Sequence, residues 1–184
     1  MVARKSIVFA PLRIRFRGEY DYDGLLDLIR NHFAKHLFGE LKEPVFKYKS
    51  RPTGAEVEFK MLSNRNVTHY IKVYLTVKGR MWDMLREQKV IDGEKRIRTN
   101  GKLELYLIGE WELDYANQFG TAPDDKAIQR LQNAAEKWMQ SNLDRPDGGL
   151  KYGDNKMTGK KYVENIIKSL HDDIKSFLGM EAML

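Results

Sequence analysis

The chain has 184 residues, 42% of them hydrophobic and 32% charged, a size and balance that suit one folded domain and exclude wholesale disorder. It contains no cysteine, which removes disulfides, thiol catalysis and cysteine-ligated zinc together. The net charge of +6 is unevenly spread: residues 1–102 hold 22 Lys/Arg against 12 Asp/Glu, and residues 103–184 have a net charge of −4. Such polarity steers a chain toward an acidic partner or toward head-to-tail contact with its own copies, and it also describes a plain solvated surface.

In chain order, residues 6–17 read as a strand, with Leu12, Ile14 and Phe16 alternating with Arg13, Arg15 and Arg17. Pro11 marks an edge position or a bulge, because it cannot donate to a ladder. Residues 23–38 change to helical spacing, with Leu25, Leu28, Ile29, Phe33 and Leu37 on one stripe and Gly39 as the stop. Val45–Lys49 and Ala55–Met61 then flank Arg51-Pro52-Thr53-Gly54, a turn sequence. Pairing Arg51 with Gly54 sets Lys49 opposite Glu56, Tyr48 opposite Val57, Lys47 opposite Glu58 and Phe46 opposite Phe59. The lysine–glutamate pairs are expected on the solvent face, with Phe46 and Tyr48 on the core face.

A loop at 63–67 followed by a strand over 68–78 sets Phe59 opposite Ile71 and Glu58 opposite Lys72. Residues 79–92 are rich in helix formers and predict a short helix. Asn100-Gly101 predicts a hairpin in which Ile97 meets Leu103 and Arg96 meets Glu104. The strand over 102–115 places Leu103, Leu105, Leu107, Trp111 and Leu113 on one face, and Gly109 within it signals a bulge or a close helix approach. From Thr121 the period is helical, with Ile128, Leu131, Ala135, Trp138 and Met139 on one stripe to about residue 142. Residues 143–157 form a Gly/Asp-rich loop, expected to be flexible, and a last helix starts near Thr158 with Val163, Ile166, Ile167, Leu170, Ile174 and Phe177 in register.

These elements predict a single α+β domain over 1–184, strand-rich to residue 120 and helical beyond. Its core is a twisted antiparallel sheet of about five to six strands, with helices covering one face. The N-terminal part is strand then helix, and two helices close the chain. The order is similar to that of helix-grip ligand-binding domains, in which a curved sheet wraps a long C-terminal helix. That resemblance covers the coarse layout, and it implies a pocket for a small apolar ligand lined by Trp82, Trp111, Trp138 and the methionines. Tryptophans at this spacing are equally read as core.

No catalytic constellation emerges. Gly153 to Lys161 superficially looks like a P-loop, but five residues separate the glycines, no Ser/Thr follows Lys160, and no strand precedes it. Thr158, Gly159, Lys160 and Lys161 at a helix start are a candidate anion site, against the plainer reading of solvated charge. His32 and His36 sit four apart, but Phe33 occupies the position where a zinc hydrolase needs its glutamate, so no metal is expected. No cofactor is expected either.

The most functional-looking residues are the basic and aromatic ones of the strands: Arg13, Arg15, Arg17, Tyr48, Tyr70, Tyr74, Arg96 and Arg98. Arginine for phosphates and tyrosine for stacking on one sheet face is a way to hold RNA or single strands. The Arg13/Arg15/Arg17 row lacks an obvious acidic partner, apart from Glu110, Glu112 and Asp114 on the long strand. The chain therefore reads as a non-catalytic binding or assembly protein that engages nucleic acid, a ribonucleoprotein or an acidic protein surface. A second reading is a self-assembling subunit of a particle or filament, associating through its apolar C-terminus, where Met180, Met183 and Leu184 lie. No signal peptide or membrane span is evident, so a cytoplasmic or virion-associated location is expected.

Overall fold

A computed structural model describes residues 6–67, 71–91, 94–113, 130, 134 and 159–180. Its strands are β1 (Ser6–Val8), β2 (Leu12–Tyr20), β3 (Lys42–Arg51), β4 (Gly54–Asn66), β5 (Ile71–Ile91) and β6 (Glu94–Leu113), and its helices are α1 (Tyr22–Lys35) and α2 (Gly159–Phe177). All pairings are antiparallel, in the order β1/β2, β6, β5, β4, β3. β1 and β2 share one edge of the sheet, separated by the break that Pro11 dictates, with the Phe9 amide donating to the Gly109 carbonyl at 2.9 Å. The sheet is thus five strands wide, and the class is α+β.

The order follows from strand parity. The odd residues of β6 from Leu103 to Trp111, apart from Gly109, are large and apolar, and they are buried with Ile14 of β2, Val73–Val77 of β5 and Val57–Met61 of β4 on the same side. The apolar stripes of α1 (Leu25, Leu26, Ile29, Phe33) and α2 (Val163, Ile166, Ile167, Leu170, Ile174) complete that core. Gly109 is the contact point for α2: a Cβ there would lie 2.2 Å from Ile167 Cδ1 and 2.7 Å from Val163 Cγ1. The close helix approach expected from the sequence is therefore real.

The helices do not cover the whole face. β3 and the far end of the β5–β6 ribbon extend beyond them, leaving Phe46 48%, Tyr48 59%, Ile97 50% and Val90 69% exposed on the helix side. The expectation that Phe46 and Tyr48 enter the core fails for that reason, although the β3–β4 register of Arg51–Gly54, Lys49–Glu56, Tyr48–Val57, Lys47–Glu58 and Phe46–Phe59 is as read from the sequence. Of the helix expected from Thr121 to about residue 142, Arg130 and Ala134 are helical, and the rest lies outside the described residues with the 143–157 loop and Trp138.

Three other expectations are corrected. Of the helix expected over 79–92, the described residues 79–91 are not helical but continue β5 to Ile91. Met81 and Met84 are both buried at a helix-like spacing because Asp83 adopts a left-handed φ of 56° and inserts one extra residue, which returns Met84 to the core. The chain does not reverse at Asn100-Gly101. β6 runs straight through it, and the reversal falls between Ile91 and Glu94, where Asp92-Gly93 is the competing turn pair. Lastly, β4 runs on to Asn66, so Phe59 faces Gly79 and not Ile71, and Glu58 faces Arg80. Ser63 looked like loop but is buried in the strand, its hydroxyl donating to the Gly39 and Glu40 carbonyls at 3.0 Å.

The expected consequence of the Gly109 contact is testable by a double-mutant cycle. Gly109→Ala should cost about 1–3 kcal/mol in chemical denaturation by overpacking, and Ile167→Ala about 2–5 kcal/mol by cavity formation. The double variant should be more stable than the sum of the two losses implies, because the missing Ile167 side chain makes room for the new methyl.

Candidate polyanion interface

The face of the sheet opposite the helices carries the even residues of β6 with their partners. Its middle row crosses all five strands as Arg15, Glu104, Arg80, Glu58, Lys47, an alternation of charge dictated by register. With strands about 4.8 Å apart, the row spans about 19 Å. Arg13 and Arg15 both donate to Glu104 Oε1, Arg15 at 2.8 Å. Arg80 donates to Glu56 Oε1 at 2.7 Å and approaches Glu58 at 3.8 Å, and Arg51 lies 2.6 Å from Glu56 Oε2. Hydrogen bonding from Arg80 comes first among the causes holding the Glu56 carboxyl below the ordinary range.

This arrangement corrects two expectations. Arg13 and Arg15 do have an acidic partner, and it is Glu104, not Glu110 or Glu112; Asp114 lies outside the described residues. The stagger of β2 against β6, set by the Pro11 break, decides this. Nor do Lys47 and Lys49 form ion pairs with Glu58 and Glu56, because arginines from β3 and β5 reach those carboxylates. The arginines of these pairs are exposed at their outer ends while Glu56 is buried, and the pairs fix register through their geometry.

The rows on either side are unbalanced. On one side Arg17 faces Lys102, and Lys102 faces Trp82. On the other, Tyr106 faces Arg13 and Lys78, and Lys78 faces Lys60. Lys102 is held by Asp83 at 2.7 Å, but Arg17, Lys60 and Lys78 have no carboxylate within ion-pair distance among the described residues. Like charges directly opposed across a ladder are unfavourable. Both aromatic rings are half-buried and carry a guanidinium: Arg80 lies 5.7 Å from the Trp82 ring centroid and Arg13 5.3 Å from that of Tyr106.

The other residues singled out from the sequence are dispersed. Tyr74 is on the same face but at the β1 end, its hydroxyl donating to Glu112 at 2.5 Å. Arg96 and Arg98 lie on the outer β5–β6 ribbon, opposite Lys89 and Glu87. Tyr48 is on the helix side. Tyr70 and Thr158 are outside the described residues. Gly159, Lys160 and Lys161 open α2, and their side-chain surroundings lie outside the described residues as well. Trp82 and Trp111 occupy opposite faces, so they cannot line one pocket. Sequence reasoning missed Trp82, Tyr106, Lys60, Lys78 and Lys102. The signal for Trp82 was hidden by the misread helix.

No family model matches the chain, and no curated protein matches its sequence.

A second polar constellation lies where α1 meets α2, beside a groove of about 660 Å³ that includes Asn31, His32, Lys35, Asp173 and Phe177. His32 is buried, its Nε2 3.2 Å from the Ile166 carbonyl and its Nδ1 3.5 Å from Asp173, and its ring centroid is 4.4 Å from that of His36. Among the described residues no group of three potential ligands is placed to hold a metal. Burial first, then the neighbouring His36, lowers the His32 pKa below the usual 6.5 despite Asp173. Burial, then Lys35 and Arg65, lowers that of His36.

Both imidazoles therefore stay neutral in the fold at pH values where the unfolded chain takes up protons. Stability is full above about pH 6.5 and is lost as pH falls below it. Thermal melts from pH 7.5 to 5.0 should show a falling Tm, and His36→Gln should flatten that slope.

Proposed function

We propose that the protein is a non-catalytic binding module that holds single-stranded nucleic acid on its open sheet face. Bases stack on Trp82 and Tyr106, and phosphates sit on Arg17, Lys102, Lys60 and Lys78. The observation that carries this reading is the placing of like-charged pairs, Arg17–Lys102 and Lys60–Lys78, directly beside the two aromatic rings. A phosphate between opposed cations relieves their repulsion and accepts charge-assisted hydrogen bonds from both.

Magnitudes favour a base over the resident guanidinium. An exposed cation–π contact contributes about 0.5–1 kcal/mol, whereas base stacking on an aromatic side chain contributes about 1–3 kcal/mol. A displaced Arg13 or Arg80 keeps its carboxylate partner. Stacking needs unpaired bases, so single strands suit this face better than duplexes. Such a role fits a cytoplasmic or virion-associated protein.

Fluorescence anisotropy with single-stranded RNA and DNA, over a range of salt, tests the reading. Lys60→Gln with Lys78→Gln should lower the log–log salt slope by about 1.4, since each phosphate contact on a single strand accounts for about 0.7. Glu104→Gln separates structure from binding: it should lower Tm slightly while raising affinity, because it releases Arg13 and Arg15. The reading fails if the wild-type protein shows no affinity for either nucleic acid at low salt, or if neither change alters it.

A further inference from the structure

We propose that β3 is the docking edge for an acidic, extended peptide from a partner protein, which adds to the sheet as a further antiparallel strand. β3 ends the strand order, so one side of its backbone donors and acceptors has no strand beside it among the described residues. Its side chains divide by parity. Lys47 and Lys49 stand on the open face, exposed and, among the described residues, without a carboxylate in ion-pair range, because Glu56 and Glu58 are taken by Arg51 and Arg80. Phe46 and Tyr48 stand on the helix side, 48% and 59% exposed.

An added strand with carboxylates at alternate positions would set them opposite Lys47 and Lys49 and lay its intervening apolar residues on Phe46 and Tyr48. Lysines alone would be a guard against edge pairing. Two exposed aromatic side chains at the same edge are not part of such a guard. The register shift between Lys42 and Val45, next to Pro44, limits the usable edge to residues 45–51.

A second copy of the chain is a poor occupant. β3 paired antiparallel with itself about Tyr48 sets Lys47 against Lys49. Among the described residues the other outer edge is formed by β1, only three residues long, and β2, which presents Arg13, Arg15 and Arg17 on the same face. Pairing of β3 with itself or with β2 therefore opposes cations to cations. The site is separate from the Trp82/Tyr106 surface, and it stands or falls independently of nucleic-acid binding.

The test uses the full chain and a labelled octapeptide of alternating Glu and Val, with three comparisons: the Lys–Val counterpart, the Glu–Val peptide N-methylated on alternate residues along one edge, and single-stranded oligouridylate as competitor. The Glu–Val peptide should bind and the Lys–Val peptide should not. N-methylation on the pairing edge should weaken binding at least tenfold, because it removes ladder donors and leaves charge unchanged. Lys47→Gln with Lys49→Gln should weaken binding about tenfold, two exposed ion pairs being lost. Phe46→Ser with Tyr48→Ser should also weaken it, with circular dichroism unchanged. Absence of Glu–Val binding overturns the proposal. So does equal binding of the N-methylated and the parent Glu–Val peptides, which would show attraction by charge alone. Displacement of the peptide by oligouridylate together with insensitivity to N-methylation would move the acidic ligand onto the open face and also overturn it.

Discussion

The uninterrupted alternation of β6 is the constraint from which the rest of the structure follows. Its twenty residues pair with β5 along their whole length and with β1 and β2 on the other side, and β6 itself contains no extra residue. A one-residue slip would send Leu103, Leu105, Leu107 and Trp111 to solvent and Glu104, Glu110 and Glu112 into the core, at a cost far above the few kcal/mol by which domains are stable. With β6 fixed, irregularity falls on other strands. β2 breaks at Pro11, and β5 bulges at Asp83. Gly109 sits on the core parity because α2 needs the space, and Gly79 does so because the Phe59 ring fills it, a Cβ there falling 2.2 Å from Phe59 Cε1. The open face is the other half of the same alternation. Where the core parity demands leucine, the open parity is free to hold charge and aromatic rings.

How much of this can be read from the sequence depends on the range of the interaction. The β3–β4 register is legible because a four-residue turn signal and opposite charges lie within a few residues of each other, so a wrong register would be visibly bad chemistry. The first helix is legible from its stripe, but its end is not. Leu37, at φ 53°, takes the left-handed position after the helix that glycine usually fills, two residues ahead of Gly39. The stretch over 79–92 misleads because a strand with one bulged residue puts two methionines three apart on one face, which imitates a helix. Only the partners, Leu103 on one side and Val57 on the other, settle it as strand, and both are distant in sequence.

The candidate site is less legible for the same reason. That Arg13, Arg15 and Arg17 share a face follows from alternation. That Glu104 neutralises two of them depends on the stagger of β2 along β6, and no local pattern encodes a stagger. The residues left unbalanced, Lys60 and Lys78, face each other only in a β4–β5 register that differs from the one read from the sequence. The exposed surface of Tyr48 was equally hidden, since burial depends on how far the helices reach across the sheet and not on β3 itself.

Charge balance also bears on the two broad roles that the composition leaves open. A subunit that polymerises by sheet extension needs complementary edges, and here both outer edges present cations on the open face. The acidic residues that offset them, Glu56, Glu58 and Glu104, lie inside the sheet on β4 and β6, where they hold register and cannot reach a neighbouring copy's edge strand. The described part of the chain therefore keeps its carboxylates for internal order and presents its cations outward at both edges. A distribution of that kind favours association with something acidic that is not itself, whether a phosphate chain on the open face or a carboxylate-bearing strand at β3. Because Glu104 and Glu58 are already engaged by arginines, either ligand can dock without withdrawing a partner from the contacts that keep the five strands in register.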